Sequence, residues 1–504
     1  MTTQRARVLM LQGTSSHAGK TVLAAALCRS FARRGCRVAP FKAQNMSLNS
    51  FVTPEGGEMG RAQVYQARAA GLDPHVDMNP VLLKPSSGEV SQVVVLGRAV
   101  GHMTVREYHA YQDQVWPVVT AALDRLRAAN DLVVVEGAGS SAEVNLRSYD
   151  IANMRVALEV HAPVLLVGDI ELGGVFASLL GHVELFAAEE RALLAGFVIN
   201  KFRGDAAQLD AGIRTLQERT AVPTLGVVPY LEEWRGDEED SVTVARPGRS
   251  GRPGAPLRVA VVRLPFISNF TDADALAAEP DVDLRFVGSA REIAGSDAIV
   301  LPGSKSTIAD LQWLRRTGLS AALRAAAAAG TPVVGICGGY QMLGRRILDP
   351  GRVESSCDAV EGLGLLDVET TFASEKRTLQ AEGVVAAACP LGSPGVAVSG
   401  YEIHMGRTVL GRGSRPLLRL RTTGSGEERP DGALAGAVCG TYLHGIFDHP
   451  EARAAFLNAL RAARGLPSRD PAEPTVDDID RLTAHVEAHL DMDAVERIAD
   501  LPSA

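Results

Sequence analysis

In Pro332-Val333-Val334-Gly335-Ile336-Cys337-Gly338-Gly339-Tyr340-Gln341-Met342-Leu343-Gly344 an apolar, β-branched run ends at a cysteine, and glycines follow at once. That is the sequence form of a nucleophile elbow, a tight strand-to-helix turn that projects one side chain from the end of a sheet. The glycines let the backbone turn and leave N–H groups beside the sulfur. A lone cysteine in a glycine-rich turn is more often a small buried hydrophobe. Its meaning therefore depends on partners elsewhere in the chain.

Two such partners stand on either side. Upstream, the strand-like Asp297-Ala298-Ile299-Val300-Leu301 runs into Pro302-Gly303-Ser304-Lys305. Gly303 and Gly338 are candidates for the two N–H donors of an oxyanion hole. Downstream, Gly440-Thr441-Tyr442-Leu443-His444-Gly445 supplies a histidine after a strand-like segment, with His404 as its competitor. Cys337 as nucleophile and His444 as base make a cysteine hydrolase of acyl groups.

The same alternation of apolar runs and helical patterns fills the first half. Residues 8–12, 38–41, 131–136, 164–169, 197–200 and 225–228 are predicted to be buried parallel strands of a doubly wound α/β domain. The first runs directly into Gly13-Thr14-Ser15-Ser16-His17-Ala18-Gly19-Lys20-Thr21. Such a loop cradles phosphates with backbone N–H groups, Lys20 adds a point charge, and Thr21 can ligate Mg²⁺. Glu136, closing an apolar run, is the second candidate Mg²⁺ ligand. Asp150 and Asp169 are further acidic candidates, and Asn200 is placed to meet a purine base. Lys42, Gln44, Asn45 and Ser47, in a polar stretch after the second strand, are candidate substrate contacts, as is Lys84 for an anionic group.

Length allows two or three domains. The boundaries fall at 1–232, a linker at 233–256 rich in charge, Pro and Gly, 257–450, and a helical tail at 451–504 expected to pack on the second domain. The net charge of −8 over 504 residues argues against nucleic-acid binding and against a basic membrane-binding face. Six scattered cysteines without a CxxC pair exclude a zinc or disulfide framework and fit a reducing, cytoplasmic setting. No apolar run reaches about 18 residues, so no membrane-spanning helix is expected. Nothing in the pattern sets an oligomeric state.

The motifs together resemble a family. The second half is similar to class I glutamine amidotransferases, in which a Cys–His pair frees ammonia from glutamine. His444-Gly445-Ile446 lacks the His-x-Glu of most of them, a departure typical of the cobyrinate-amidating (CobB/CobQ-type) branch. The loop at Gly13–Thr21, with five residues between its glycines, resembles dethiobiotin synthetase and its relatives. Lys42-Ala43-Gln44-Asn45-Met46-Ser47, Asp150-Ile151-Ala152-Asn153-Met154, Asn200-Lys201-Phe202-Arg203-Gly204-Asp205 and Tyr401-Glu402-Ile403-His404-Met405-Gly406 carry the resemblance to that branch along residues 5–450. It implies a dethiobiotin-synthetase-like P-loop domain followed by a flavodoxin-like amidotransferase domain. It also implies ATP and Mg²⁺, glutamine as nitrogen donor, and a corrinoid substrate, adenosylcobyrinic acid a,c-diamide, amidated at its b, d, e and g carboxylates. By family position Asp150 is expected to act as a catalytic acid near the reacting carboxylate or its metal. Leu172 and Gly88 replace an Arg and an Asp common in the branch. Enzymes that amidate the earlier a and c carboxylates share the domain pair. A partition-type ATPase switch with a degenerate amidotransferase domain is the rival from another class.

Overall fold

The computed structural model describes residues 5–86, 90–231, 251–355, 357–424, 426–470 and 478–501. Most of the charged linker and Gly88 lie outside them. The first domain is built on six parallel strands in the spatial order Thr224–Pro229, Leu194–Phe202, Val164–Asp169, Arg7–Gly13, Leu132–Glu136 and Val38–Phe41. All six expected strands are present. Their residues alternate between two cores: Met10, Val133 and Leu166 bury on one face, Leu9, Val134 and Leu165 on the other. A strand covered on both faces has no polar side, which is why these runs read as continuously apolar. The phosphate-loop strand lies centrally, so its C-terminal end opens where parallel α/β sheets place ligands.

Between Phe41 and the long helix Val105–Ala129 the chain leaves this sheet. It forms a four-stranded sheet from Gln44–Met46, Val81–Pro85, Val90–Val95 and Arg98–Thr104, with a small pair Ser50–Val52 and Glu58–Gly60 beside it. The second domain repeats the parallel logic with Val282–Val287, Leu257–Val262, Ala298–Leu301, Val333–Ile336 and Val438–Thr441, then an antiparallel edge, Ala433–Ala435. A long hairpin, Val368–Val385 with Ala397–Leu410, stands off it, and its register shifts between Phe372 and Arg377.

The domains meet around Tyr401, which packs with Val52 and Ile403 and lies 4.9 Å from Phe51. Its hydroxyl accepts from Arg61 at 3.2 Å and from the Asn269 amide at 3.0 Å. The tail divides. Pro450–Ala463 packs on the second domain through Phe456, Leu457 and Leu460. The last two helices, Asp478–Glu487 and Met492–Ile498, instead join the first domain, against expectation. Ile479, Leu482, Val486 and Val495 complete the core around the phosphate-loop helix, and Arg29 and Arg33 each pair with Asp480 at 2.7 Å. Apolar spacing along the tail shows that one face is buried but not which domain receives it.

Candidate functional site

Strand Arg7–Gly13, the loop, and helix Lys20–Arg33 follow one another as the sequence predicts. Gly19 has φ 97°, and a Cβ there would lie 2.0 Å from the Asn200 amide nitrogen, so only glycine fits. Asn200 donates to the Ala18 carbonyl at 2.9 Å and braces the loop from the strand Leu194–Phe202, two away in the sheet. Lys20 curls over the loop, donating to the carbonyls of Ser15 at 3.0 Å and Gly139 at 2.9 Å. Asp169 pairs with Lys201 at 2.8 Å.

Glu136, fully buried at its strand end, is the centre of this end of the sheet. One carboxylate oxygen accepts from the Thr21 hydroxyl at 2.7 Å and from Lys42 at 2.9 Å. The other accepts from Gln66 at 2.5 Å. Burial alone would raise its pKa, but Lys42, Thr21 and Gln66 outweigh it and hold it below the ordinary carboxylate value. Thr21 and Glu136 therefore converge as expected of a shared cation site. Among the described residues no group of three or more His, Cys, Asp or Glu could hold a metal ion. One hydroxyl and one carboxylate fit Mg²⁺, which takes most of its ligands from nucleotide phosphates and water.

The remaining candidates of this domain separate. Gln44 accepts from the Tyr108 hydroxyl at 2.5 Å, the Asn45 amide donates to Gln63 at 2.8 Å, and Ser47 caps the Asn49 N–H at 3.0 Å. Asp150 receives the backbone N–H groups of Ala152 and Asn153, each at 2.8 Å, and of Arg155 at 3.2 Å. It thus caps the turn into helix Met154–Val160. Lys84 lies at the other site altogether, paired with Glu58 at 2.6 Å in the cavity that holds Cys337.

At that second site Cys337 has φ 52° and ψ −108°, a strained conformation for a residue with a side chain. It is held by its N–H on the Thr441 carbonyl at 2.8 Å and by the short helix Gly338–Leu343. A Cβ at Gly339 would stand 1.9 Å from the Leu301 carbonyl oxygen, and one at Gly338 2.8 Å from the Ser304 nitrogen. Both positions require glycine. Gly303 pairs with Ser268 in an antiparallel ladder whose next bonded pair is Lys305 N–H on Phe266 O at 2.9 Å. Ladder alternation commits the Gly303 N–H to Ser268 and turns that of Ser304 the other way, toward the elbow.

His444 lies beside Cys337 and against Gly303, with its Cε1 3.0 Å from where a Gly303 Cβ would be. Its Nδ1 is 2.7 Å from Asp272, whose other oxygen accepts the Gly445 N–H at 2.8 Å. Asp272 thus occupies the orienting position that the absent Glu leaves open. No motif in the sequence marks Asp272 as the partner of His444. Its one signal is a strand (Leu257–Val262) followed closely by Ser-Asn-Phe-Thr-Asp, an acid near a C-terminal strand end. His404 instead stacks on Tyr442 at 3.7 Å and is hydrogen-bonded through Nδ1 with the Gly406 carbonyl at 2.8 Å.

Residues 9–244 match the CobQ/CobB/MinD/ParA nucleotide binding domain and 258–452 the CobB/CobQ-like glutamine amidotransferase domain. The cobyric acid synthase of Desulforudis audaxviator is 56% identical over 93% of both chains. Those of Pelotomaculum thermopropionicum (50% identical, 99% of this chain and 97% of that one) and Moorella thermoacetica (49%, 98% of each) match as fully. The chain belongs to the cobyric acid synthase family. In this member of the family the nucleotide-binding domain and the amidotransferase domain each carry a site at the C-terminal ends of their strands. No helix among the described residues is long and apolar enough to cross a membrane.

Proposed function

We propose that the protein makes amides from the b, d, e and g carboxylates of adenosylcobyrinic acid a,c-diamide, using ATP and the amide nitrogen of glutamine. A carboxylate is a poor acyl donor, so it first takes the γ-phosphoryl group of ATP and becomes an acyl phosphate. Lys20 and the loop N–H groups hold the transferring phosphate and stabilise its charge. Thr21 and Glu136 would hold Mg²⁺, which supplies further charge neutralisation at the phosphates. Lys42, at once on Glu136 and just ahead of the Gln44–Met46 strand, links the nucleotide to the corrinoid side.

At the other site the Cys337 sulfur attacks the glutamine carboxamide carbon. The oxyanion is received by the N–H groups of Gly338 and Ser304. His444, oriented by Asp272, gives its proton to the departing ammonia, then takes one from the water that hydrolyses the thioester to glutamate. Ammonia displaces phosphate from the acyl phosphate to close the cycle. Neutral ammonia must cross between domains before it is protonated, because ammonium is not nucleophilic.

The observation that carries this reading is the Cys337–His444–Asp272 set in a cavity also lined by Lys84 of the nucleotide-binding domain. An intact triad of this kind argues against a degenerate binding module. Incubation with ATP, Mg²⁺, amide-labelled glutamine and the a,c-diamide should place label in up to four new amides, followed by mass. Label entering cobyrinic acid but not its a,c-diamide would reverse the assignment of substrate. Cys337→Ala should abolish glutaminase activity yet retain synthesis from ammonium. Loss of both in a folded variant would refute the division of labour.

A further inference from the structure

The cavity around Cys337 and His444, about 500 Å³ in volume, also presents Lys84, Lys305, Lys376 and Glu354. None of these four has a part in acyl transfer as described, and their pairing is uneven. Lys84 and Lys376 share the buried carboxylate of Glu58. Lys305 has no carboxylate within ion-pair distance among the described residues; its Nζ donates to the neutral Gln92 amide oxygen at 3.2 Å. Glu354 accepts the Ile308 N–H at 2.8 Å and the Thr307 hydroxyl, and likewise has no cation within ion-pair distance among the described residues. Burial, with Lys376 and Lys84 nearby, pushes the Lys305 ammonium down to about 7. Burial pushes the Glu354 carboxyl up to about 7. Two half-buried groups of opposite sign, near enough to feel each other's charge but neither closed into an ion pair among the described residues, therefore face the chamber of a cysteine nucleophile.

We propose that Lys305 and Glu354 are the recognition pair for the backbone end of glutamine, Lys305 receiving the α-carboxylate and Glu354 the α-ammonium. The assignment rests on the glutaminase reading of Cys337 and names what that reading lacks, the groups that select the amino acid. A zwitterion supplies both missing partners at once and keeps Lys305 protonated and Glu354 ionised. A ligand with only one of the two charges leaves the opposite group buried and unpaired, which is the physical source of selectivity. Gln92, which holds Lys305, belongs to the nucleotide-binding domain, so the amino-acid site is complete only with the two domains docked.

The test is glutaminase kinetics of the full chain with L-glutamine, its α-carboxamide analogue and Nα-acetyl-L-glutamine. In Lys305→Met the KM for glutamine should rise about 30-fold or more, with kcat changed only a few-fold. The preference for glutamine over the α-carboxamide should fall at least about tenfold, and Lys305→Arg should recover part of it. In Glu354→Gln the preference over the acetylated analogue should collapse instead. Thermal unfolding of each variant shows that fold is kept, and the two variants report independently if one is unstable. If the wild type hydrolyses glutamine but both preferences survive in the variants, or kcat falls at unchanged KM, the assignment is overturned. If the wild type hydrolysed no glutamine, the glutaminase reading would fall and take this assignment with it.

Discussion

At His444, burial works against protonation, but the Asp272 carboxylate at 2.7 Å and Cys337 on the other side overcome it, raising the pKa from 6.5 to about 10. The imidazole is therefore a cation across the neutral range, the state that donates a proton to ammonia. A pKa raised in the folded state contributes stability that is full below about 6.5 and is lost as pH rises toward 10. A pH titration of the unfolding midpoint should show this alkaline loss in the wild type and a smaller one in His444→Gln. Asp272→Asn removes the orienting charge, and glutaminase kcat should drop on the order of 100-fold or more while ammonium-driven synthesis persists. Cys337 and His444 were legible because each sits in a short local pattern. Asp272 was not, because 172 residues separate it from His444 and only the fold joins them. Glu58 was invisible for a related reason: its role is set by Lys84 and by Lys376 from the other domain. Those two ammonium groups overcome the effect of burial and hold its carboxyl far below the ordinary range. Glu58→Gln would leave two buried cations without a counter-charge, and about 3–5 kcal/mol of stability should be lost. Chemical denaturation would measure it.

The parallel strands were readable as elements because burial on both faces leaves an unbroken apolar run, and the loop Gly13–Thr21 because its glycines are fixed by close approach. The antiparallel additions were not. Arg98–Thr104 is largely exposed, and the long hairpin mixes buried with charged positions, so neither announces itself by composition. Yet these are the elements that build the contact between sites. The register shift between Phe372 and Arg377 brings Lys376 to Glu58 and Gln92 of the first domain. The turn that carries Asp272 is tied to the same domain, with Asn269 donating to the Ser50 carbonyl at 2.9 Å and Thr271 to Asn49 at 3.0 Å. Asn269→Ala should therefore lower glutamine-driven synthesis more than ammonium-driven synthesis, though it touches neither nucleophile nor nucleotide. Equal loss in both assays would mean that the turn matters only for stability.

Across the whole molecule, the chain crosses from one domain to the other and back. Pro450–Ala463 ends on the amidotransferase core, and the final two helices return to the first domain, where Arg34 pairs with Glu496 at 2.7 Å. They bury Ile479, Leu482, Val486, Leu490, Met492 and Val495, each worth about 1.5–3 kcal/mol against exposure. Truncation after Gly465 should lower the melting temperature of the nucleotide-binding domain and raise binding of an apolar dye, with the amidotransferase domain affected less. The domain boundaries visible in composition are thus not the boundaries of cooperative folding. This has a consequence for the order of events on the ribosome. The first domain emerges early, but the last layer of its core is encoded after the whole of the second domain. At about 5–20 residues per second, that layer arrives tens of seconds later. Until then the phosphate-loop helix keeps an uncovered apolar flank, and a nascent chain stalled before the tail would be a natural client for a holding chaperone.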